Sequence, residues 1–395
     1  MACFATFAPD AAQALRAISL EDPLIAVRKM REVFGAGVSL DGLEARLSAD
    51  PAWGGRFARE LLPGLRRAVV DFLEAGRPVP ASMTPGAAAR RALPRADSPG
   101  LLGLMLLGGL EADRPDAPFV DAWRLWASPH PQEQAKLQCL LETFRPGLGW
   151  DGDLVIERRV GAPRPSEMWS ADTSPLMPMD VIEAGVIDDA DGFLQADFAN
   201  AFLGGGVLTG GCVQEEIRFA VCPELCLGLL VSPRMRDDEA IVLRGAARLA
   251  TTRGYAYGLR HLGPHEPRPG ESHPGVLAID ALRFDRGDPK AQWTSAACLR
   301  ELGKLEAGLA PGDTPFATGN WGCGVFGGDP RLKALLQWLA ASARGVPVRY
   351  YTFGDRRVAG LEAAVLRARA RTVGELWSAL VEALPYGGEG LLDRI

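Results

Sequence analysis

The sequence is poor in lysine and has no long apolar run. Only five of its 43 basic residues are lysines, and its formal net charge is −6. An acidic chain offers no overall positive field, so a polyanionic ligand would have to be met locally by backbone amides and arginines. The most apolar stretch, residues 101–110, includes glycines and is too short to cross a bilayer, which excludes it as a membrane span.

Paired cysteine motifs and a signal segment are also missing. The seven cysteines are scattered without a CxxC pair, a pattern typical of reduced, mostly buried thiols. The first residues contain no basic segment followed by an apolar one, which argues against a secretory signal. We therefore expect a cytoplasmic protein, or a nuclear one if the source is a eukaryote, without membrane association.

Histidine is equally scarce, with four residues in the chain. Three of them, His261, His265 and His273, lie in a stretch rich in glycine and proline. Gly263 and Pro264 interrupt the helical spacing that a metal motif would need. We interpret the stretch as a solvated loop and predict neither a metal nor a cofactor.

The first part of the chain has helical periodicity. The 395 residues allow one large domain or two of ordinary size. Apolar spacing up to about residue 145 predicts helices at 11–18, 23–33, 61–72, 101–110, 118–127 and 131–144. The stretch 79–97, rich in Pro, Ala, Arg and Ser, is interpreted as a loop or linker. We assign residues 1–145 to an all-helical N-terminal accessory domain.

From residue 146 to 395 predicted strands alternate with predicted helices. Strands are predicted at 153–160, 179–186, 193–198, 225–231, 275–281 and 348–353. Helices are predicted at 215–219, 239–249, 291–308 and 330–343, with two closing helices within 358–384. This alternation predicts an α/β domain with three α/β/α layers.

A glycine-rich run followed by two adjacent acids, residues 197–219, is the most informative segment. Its key positions are Gly204, Gly205, Gly206, Gln214, Glu215 and Glu216. Glycines let the backbone approach a ligand closely, and a glutamate beside such a loop suits acid/base work on a bound anion or sugar. For the triplet alone, a plain loop before a surface helix is the alternative. Adjacent side chains diverge by about 100° on a helix, so one glutamate is expected to face a scissile bond.

A second glycine-rich block, residues 317–330, reads Ala-Thr-Gly-Asn-Trp-Gly-Cys-Gly-Val-Phe-Gly-Gly-Asp-Pro. Gln337 follows, and then Tyr-Thr-Phe-Gly-Asp at residues 351–355. Together with the Gly-Gly-Gly and Gln-Glu-Glu motifs, the block resembles the poly(ADP-ribose) glycohydrolase family of the eukaryotic type. The resemblance covers about residues 136–355 and implies a macrodomain-like catalytic domain over residues 146–395.

This resemblance implies an activity and two catalytic residues. Glu216 would be the general acid/base that cleaves the 1″–2′ ribose–ribose bond, and Glu215 would hydrogen-bond ribose hydroxyls. The implied partners are poly(ADP-ribose), poly(ADP-ribosyl)ated proteins and the product ADP-ribose, with no direct nucleic-acid binding. The implied role is reversal of ADP-ribosylation in the DNA damage response. The alternatives are a non-catalytic ADP-ribose reader, which would not need Gln-Glu-Glu, and a hydrolase of mono-ADP-ribosyl adducts.

The resemblance also implies a set of substrate-binding residues: Asn200, Gln214, Gly204, Gly205, Gly206, Ile187, Asp188, Tyr255, Asn320, Gly322, Gly324, Val325, Phe326, Gly327 and Phe353. Backbone N–H groups of the second block would cradle the diphosphate without a lysine. Phe353 would pack on the adenosine end, and Tyr255 would fold over the site. The family usually continues the Tyr255 motif with a glutamate, which is absent here, and it usually has glutamate where Asp188 stands.

Three of these residues have structural alternatives. Asn200 would contact the ribose beside the cleaved bond, or would form a turn before the glycine loop. Gln214 would contact the ligand, or would replace an N-cap residue of the following helix. Phe353 would face the ligand crevice from a strand end, or would pack in the core.

Overall fold

A computed structural model describes residues 10–112, 114–268 and 271–395. The α-helices of these ranges are α1 (Ala11–Ala17), α2 (Pro23–Glu32), α3 (Asp41–Ala49), α4 (Pro51–Arg56), α5 (Leu62–Glu74), α6 (Ser98–Leu107), α7 (Trp123–Ala127), α8 (Pro131–Leu141), α9 (Ser166–Ser170), α10 (Gln214–Val221), α11 (Gly228–Val231), α12 (Ser295–Gly308), α13 (Pro330–Ala343), α14 (Leu361–Ala368), α15 (Val373–Ala383) and α16 (Leu391–Arg394). A π-helical turn, Phe57–Leu61, joins α4 to α5.

The strands of the same ranges are β1 (Ala89–Pro94), β2 (Asp153–Val160), β3 (Met179–Ile182), β4 (Leu194–Ala199), β5 (Glu239–Arg244), β6 (Ala250–Arg253), β7 (Arg260–Pro264), β8 (Val276–Asp280), β9 (Phe316–Gly319) and β10 (Val348–Tyr351). Eight of them form one sheet in the order β1-β2-β5-β8-β4-β9-β10-β3. The half from β8 to β3 is parallel, whereas β1, β2 and β5 run antiparallel to their neighbours. Strands β6 and β7 form a separate antiparallel hairpin.

Both faces of the sheet are covered, as strand β5 shows. Ile241 and Leu243 belong to a buried cluster that includes the N-terminal helices. Ala240 and Val242 belong to a second cluster, which includes α12, α13 and α15. Successive side chains of a strand point to opposite faces, so a strand between two helical layers is apolar at every position. The predicted three-layer α/β/α architecture is confirmed.

Two predicted elements are wrong in type. The predicted helix at 239–249 is strand β5 followed by a loop, and the predicted strand at 225–231 is helical, formed by a 3₁₀ segment (Pro223–Leu227) and α11. Residues 225–231 and 240–243 are buried at every position, and such a run has no period that separates a helix from a strand. Strand β2 and helix α13 have the predicted bounds.

The predicted linker at 79–97 contributes strand β1 to the sheet. This strand pairs antiparallel with β2, so the region before residue 145 is not all helical. Leu65 and Leu104 from the N-terminal helices share one buried cluster with Leu154 of β2. The N-terminal region therefore packs directly on the sheet, while a domain division at residue 145 stays a prediction. None of the described helices is long and apolar enough to span a membrane.

Candidate active site

A cavity of about 630 Å³ opens at the carboxyl ends of the parallel strands β4, β9 and β10. Open α/β sheets bind ligands at this edge, where the loops after the strands meet. Several of the predicted site residues line it: Ile187, Asp188, Gln214, Tyr255, Asn320, Gly322, Gly324, Val325, Phe326 and Phe353. The loop after β9, the loop after β10 and the start of α10 are thus brought together as expected.

Glu215 is held inside the glycine-rich loop that follows β4. It is 2% exposed, and its carboxylate oxygens accept hydrogen bonds from the N–H groups of Gly204 at 2.7 Å and Asn200 at 2.8 Å. Burial raises the pKa of Glu215 well above its usual range, with Asp197 and Glu216 adding to the shift and the two N–H donors opposing it. In this geometry Glu215 fixes the loop. The residues that line the cavity include neither glutamate of the pair, and they do not include the predicted site residues Asn200, Gly204, Gly205 and Gly206.

Glu216 joins the two ends of the same loop. The N–H of Gly206 donates to its Oε1 at 2.9 Å, and the N–H of Val213 donates to its Oε2 at 2.8 Å. The second bond is the carboxylate half of a capping box at the start of α10. Gly205 is needed here, because its φ is +50° and an added Cβ would lie 2.5 Å from Glu216 Oε1. Each oxygen keeps a further lone pair that can carry a proton.

A third carboxyl, Asp197 on strand β4, lies close to the two glutamates. It is fully buried, and no residue of the described ranges donates a hydrogen bond to either of its oxygens. Burial raises the pKa of Asp197 well above its usual range, and the nearby Glu216 raises it further. Asp197 has no role among the predictions made from the sequence. An acid in the middle of a mostly apolar strand was the signal that could have identified it.

Lys136 supports the glycine-rich loop from the N-terminal region. This residue of α8 is fully buried, and its Nζ donates to the carbonyl oxygens of Gly206 at 2.8 Å, of Thr209 at 2.6 Å and of Gly211. Burial lowers the pKa of Lys136 to about 8. The three carbonyls use all three donors of the ammonium group. No sequence motif connects a single lysine with a loop so far along the chain, which is why this contact was missed.

Asn200 and Gln214 are both tied to the backbone. Asn200 Oδ1 accepts from the N–H of Phe202 at 3.0 Å, which is a turn contact, and its Nδ2 has no partner in the described part of the chain. Gln214 Oε1 accepts from the N–H of Phe198 at 2.8 Å, and Nε2 donates to the carbonyl of Ala196 at 3.0 Å. Gln214 is the first residue inside α10 and therefore clamps that helix to β4 instead of serving as its N-cap.

The loop after β9 presents unused backbone donors to the cavity. The N–H groups of Gly324, Val325 and Phe326 donate to no described residue, and all three residues line the cavity. Gly327 differs, because its N–H donates to the carbonyl of Gly324 at 3.1 Å and it does not line the cavity. Consecutive free N–H groups in a turn form a nest that suits phosphate oxygens. The geometry fits an anion cradle without lysine.

Phe353 stands at the cavity rim in an uncommon backbone conformation. Its φ is +53°, the residue is 44% exposed, and its ring stacks on Tyr351 with 6.3 Å between centroids. Gly319, the last residue of β9, faces this ring, and an added Cβ there would lie 2.5 Å from it. A side chain this exposed does not belong to the core. Non-glycine residues at positive φ are uncommon and concentrate at functional sites, which agrees with the predicted position.

Ile187, Asp188 and Tyr255 also lie at the cavity. Ile187 is 2% exposed, and the Asp188 carboxylate forms an ion pair with Arg218 at 3.1 Å. Tyr255 follows β6 in the turn of the β6–β7 hairpin and is 58% exposed. Their positions agree with the expectation, and their binding roles stay predictions. Arg248 also lines the cavity and was missed, because an isolated arginine in a loop has no pattern that marks a cavity contact.

The histidine-containing stretch is not a solvated loop throughout. His261 lies on β7 with a 5% exposed side chain, and its Nε2 is 3.1 Å from Glu142 Oε1. His265 Nε2 is 2.8 Å from Glu271 Oε1. Within the described ranges, no group of three His, Cys, Asp or Glu side chains could hold a metal ion. The absence of a metal and of a cofactor stays a prediction.

Known proteins are similar to this chain in sequence. Residues 166–360 match the family model described as Poly (ADP-ribose) glycohydrolase (PARG), Macro domain fold. The chain is 32% identical over 341 residues to Poly(ADP-ribose) glycohydrolase 1 of Arabidopsis thaliana, covering 65% of this chain and 62% of that protein. It is 31% identical over 327 residues to Probable poly(ADP-ribose) glycohydrolase 2 of the same plant, covering 67% of this chain and 61% of that protein. The chain thus spans about three fifths of these relatives.

A solved structure of poly(ADP-ribose) glycohydrolase from Deinococcus radiodurans in complex with ADP-ribose also aligns with the chain. The TM-score is 0.31 at 19% sequence identity, covering 52% of this chain and 94% of that one. The family model covers both glycine-rich motifs, the Gln-Glu-Glu triplet and Phe353. Residues 166–360 are thus similar in sequence to the poly(ADP-ribose) glycohydrolase family, whose model describes a macrodomain fold.

Proposed function

We propose that this protein hydrolyses the ribose–ribose bonds of poly(ADP-ribose) and releases ADP-ribose. The observation that carries the proposal is a cavity lined by Val213, Gln214 and Ile217, the residues on either side of Glu216 in the sequence, and by the loop after β9. Three N–H groups of that loop donate to no described residue, and Glu216 itself is held by two N–H groups of the glycine-rich loop. The cavity volume of about 630 Å³ lies within the usual range for a nucleotide-sized ligand. The curated relatives carry the same activity in their names.

In this proposal Glu216 acts first as an acid and then as a base. The protonated carboxyl gives its proton to the leaving 2′-oxygen as the C1″–O bond breaks, and the bonding pair stays with that oxygen. The ribose develops oxocarbenium character. The Glu216 carboxylate then takes a proton from water, whose oxygen bonds to C1″. Glu215, which accepts hydrogen bonds from the N–H groups of Asn200 and Gly204, keeps the glycine-rich loop in place during both steps.

The diphosphate and adenosine ends have their own contacts. The free N–H groups of Gly324, Val325 and Phe326 would bind phosphate oxygens, and Phe353 would stack on the adenosine. This arrangement needs no metal ion to neutralise the phosphates. ADP-ribose binding is expected to persist in a strong chelator, and calorimetry with and without a divalent ion tests this expectation.

The direct test is incubation of the purified chain with purified poly(ADP-ribose), followed by chromatographic detection of ADP-ribose. The control is Glu216→Gln, which should release none. Binding of the polymer without release would indicate a reader. Release from mono-ADP-ribosylated protein, with the polymer left intact, would indicate an adduct hydrolase. The prediction of a cytoplasmic or nuclear location is tested separately, by microscopy of the tagged chain in its own cells.

A further inference from the structure

The β6–β7 hairpin carries an unusual combination of exposed groups. Tyr257, in the turn between the strands, is 83% exposed, which is far more than a tyrosine needs for packing. Gly254 and Tyr255, in the same turn, line the cavity. Tyr257 follows two residues after Tyr255 and does not line it. Among the residues that the structure describes, none forms a hydrogen bond or a ring contact with the Tyr257 side chain that would explain its position near the cavity.

The hairpin also places two arginines directly opposite each other. Arg253 and Arg260 are cross-strand partners at the turn end of the hairpin, and both are exposed. Like charges facing each other across two strands destabilise the pair. The Arg260 side chain donates to the carbonyls of Tyr257 and Leu259, and the Arg253 side chain has no hydrogen bond or ion pair with any residue the structure describes. Neither arginine has an acidic partner among those residues.

The surrounding sequence is depleted of acids. Residues 240–265 contain no Asp or Glu, although they contain four arginines and two histidines, in a chain of net charge −6. The hairpin is therefore a locally basic segment in an acidic protein. An anion placed between Arg253 and Arg260 would relieve their repulsion and would be attracted by both.

We propose that Tyr257, Arg253 and Arg260 form a second subsite, which binds the ADP-ribose unit on the leaving side of the cleaved bond. The inference rests on the proposed function. In the 1″–2′ linkage, the leaving oxygen belongs to the adenosine ribose of the preceding unit, so that unit's adenine and diphosphate emerge where the cavity opens. The adenine stacks on Tyr257, and the diphosphate pairs with the two arginines.

The competing occupant of such a surface is single-stranded nucleic acid, which also combines bases with phosphates. Two observations favour the polymer. The aromatic and basic groups are confined to one short hairpin, and the turn of that hairpin lines the cavity itself. A chain that leaves the cavity must pass this turn, whereas a free strand of nucleic acid has no reason to be guided to it.

The test compares affinities for an oligomer and for ADP-ribose alone. Binding is measured in the Glu216→Gln background, so that the oligomer stays intact. Tyr257→Ala is expected to weaken oligomer binding about tenfold, with ADP-ribose binding unchanged, and Tyr257→Phe should behave as the parent. Tyr386→Ala, at another exposed tyrosine elsewhere, is the matched control. Arg253→Gln should weaken oligomer binding and reduce its salt dependence.

Three results would overturn the subsite. The first is an unchanged oligomer affinity in Tyr257→Ala. The second is an equal loss of affinity for ADP-ribose and for the oligomer in that variant. The third is displacement of the oligomer from the parent by a single-stranded oligonucleotide of equal length at equal concentration. The second result would place Tyr257 in the cavity, and the third would assign the hairpin to nucleic acid. Release of ADP-ribose by the unmodified chain is measured separately, so a failure of the proposed activity is distinguishable from a failure of the subsite.

Discussion

The ammonium group of Lys136 donates to the carbonyl oxygen of Gly206 at 2.8 Å, and so joins helix α8 to the loop that holds both glutamates. The same loop residue donates its N–H to Glu216. A single glycine thus connects a buried cation on one side with the proposed general acid on the other. The N-terminal region takes part in shaping the site.

Replacing Lys136 by methionine should impair catalysis. Three loop carbonyls would lose their donor, and each unsatisfied buried polar group costs about 1–3 kcal/mol. We expect the loop to shift and kcat on poly(ADP-ribose) to fall at least about tenfold. Lys290→Met, at an exposed lysine, is the control. A Lys136→Met protein with parental kcat would show that the loop keeps its shape unaided.

Replacing Glu216 by glutamine should abolish hydrolysis with a smaller effect on folding. Loss of a general acid/base costs about 10²–10⁴-fold in rate. The amide of the new side chain could accept only one of the two N–H bonds from Gly206 and Val213, so a loss of about 1 kcal/mol in stability is expected. Turnover and melting temperature are measured on the same preparation. Activity within tenfold of the parent in a folded protein would mean that another group is the acid.

Replacing Asp197 by asparagine should change how stability depends on pH. Burial, and next the charge of Glu216, raise the pKa of Asp197 in the folded protein. The folded state therefore binds a proton that the unfolded state lacks, and stability is lost as pH rises through the folded pKa. Because asparagine has no titrating proton, the stability of the variant lacks this dependence on pH. Its melting temperature relative to the parent should be higher at pH 8 than at pH 5, and an equal difference at both pH values would contradict the assignment.

Replacing Phe353 by alanine should weaken ADP-ribose binding more than folding. The ring is 44% exposed, so little buried area is lost, while a stacked base contributes about 1–3 kcal/mol. Gly319→Ala would displace the same ring, but its methyl group would also lie 2.6 Å from the carbonyl oxygen of Tyr351, so this variant is expected to lose stability as well as affinity. Calorimetry gives the affinity, and thermal unfolding gives the stability. A large fall in melting temperature with unchanged affinity per folded molecule would return Phe353 to the core.

A fragment of residues 147–395 should not be a functional enzyme. The fragment contains both glycine-rich motifs, the Gln-Glu-Glu triplet and Phe353. It lacks strand β1 and Lys136. Without β1, strand β2 becomes an exposed sheet edge, which favours aggregation. We expect low solubility and no ADP-ribose affinity, measured by light scattering and calorimetry against the full chain. A monodisperse fragment with native affinity would show that the N-terminal region is dispensable.

Much of the site could be predicted because its residues lie in two short segments. The glycine-rich run and the block at 317–330 are continuous in sequence, and each maps to one loop at the end of one strand. Phe353 could be placed because it follows the strand that ends at Tyr351. Such local patterns predict positions in space, because a loop that directly follows a strand must lie at the end of that strand.

The remaining contacts depend on tertiary packing and could not be predicted. Lys136 reaches its loop only because α8 packs against α10, and β1 joins the sheet from a segment with the composition of a linker. The reversal of helix and strand at 225–231 and 239–249 has the same origin. Whether a buried apolar run forms a helix or a strand is decided by the residues that pack around it. Those residues lie far away in the sequence.

The position of β1 at the sheet edge also sets an order of events during synthesis. Residues 89–94 leave the ribosome before their partner β2 exists, and β2 in turn waits for β5 at residues 239–244. At about 5–20 residues per second, the first gap alone lasts several seconds. The apolar faces of the early helices stay uncovered for that time, so the nascent chain is expected to be a client of ribosome-associated chaperones until residues near 280 have emerged.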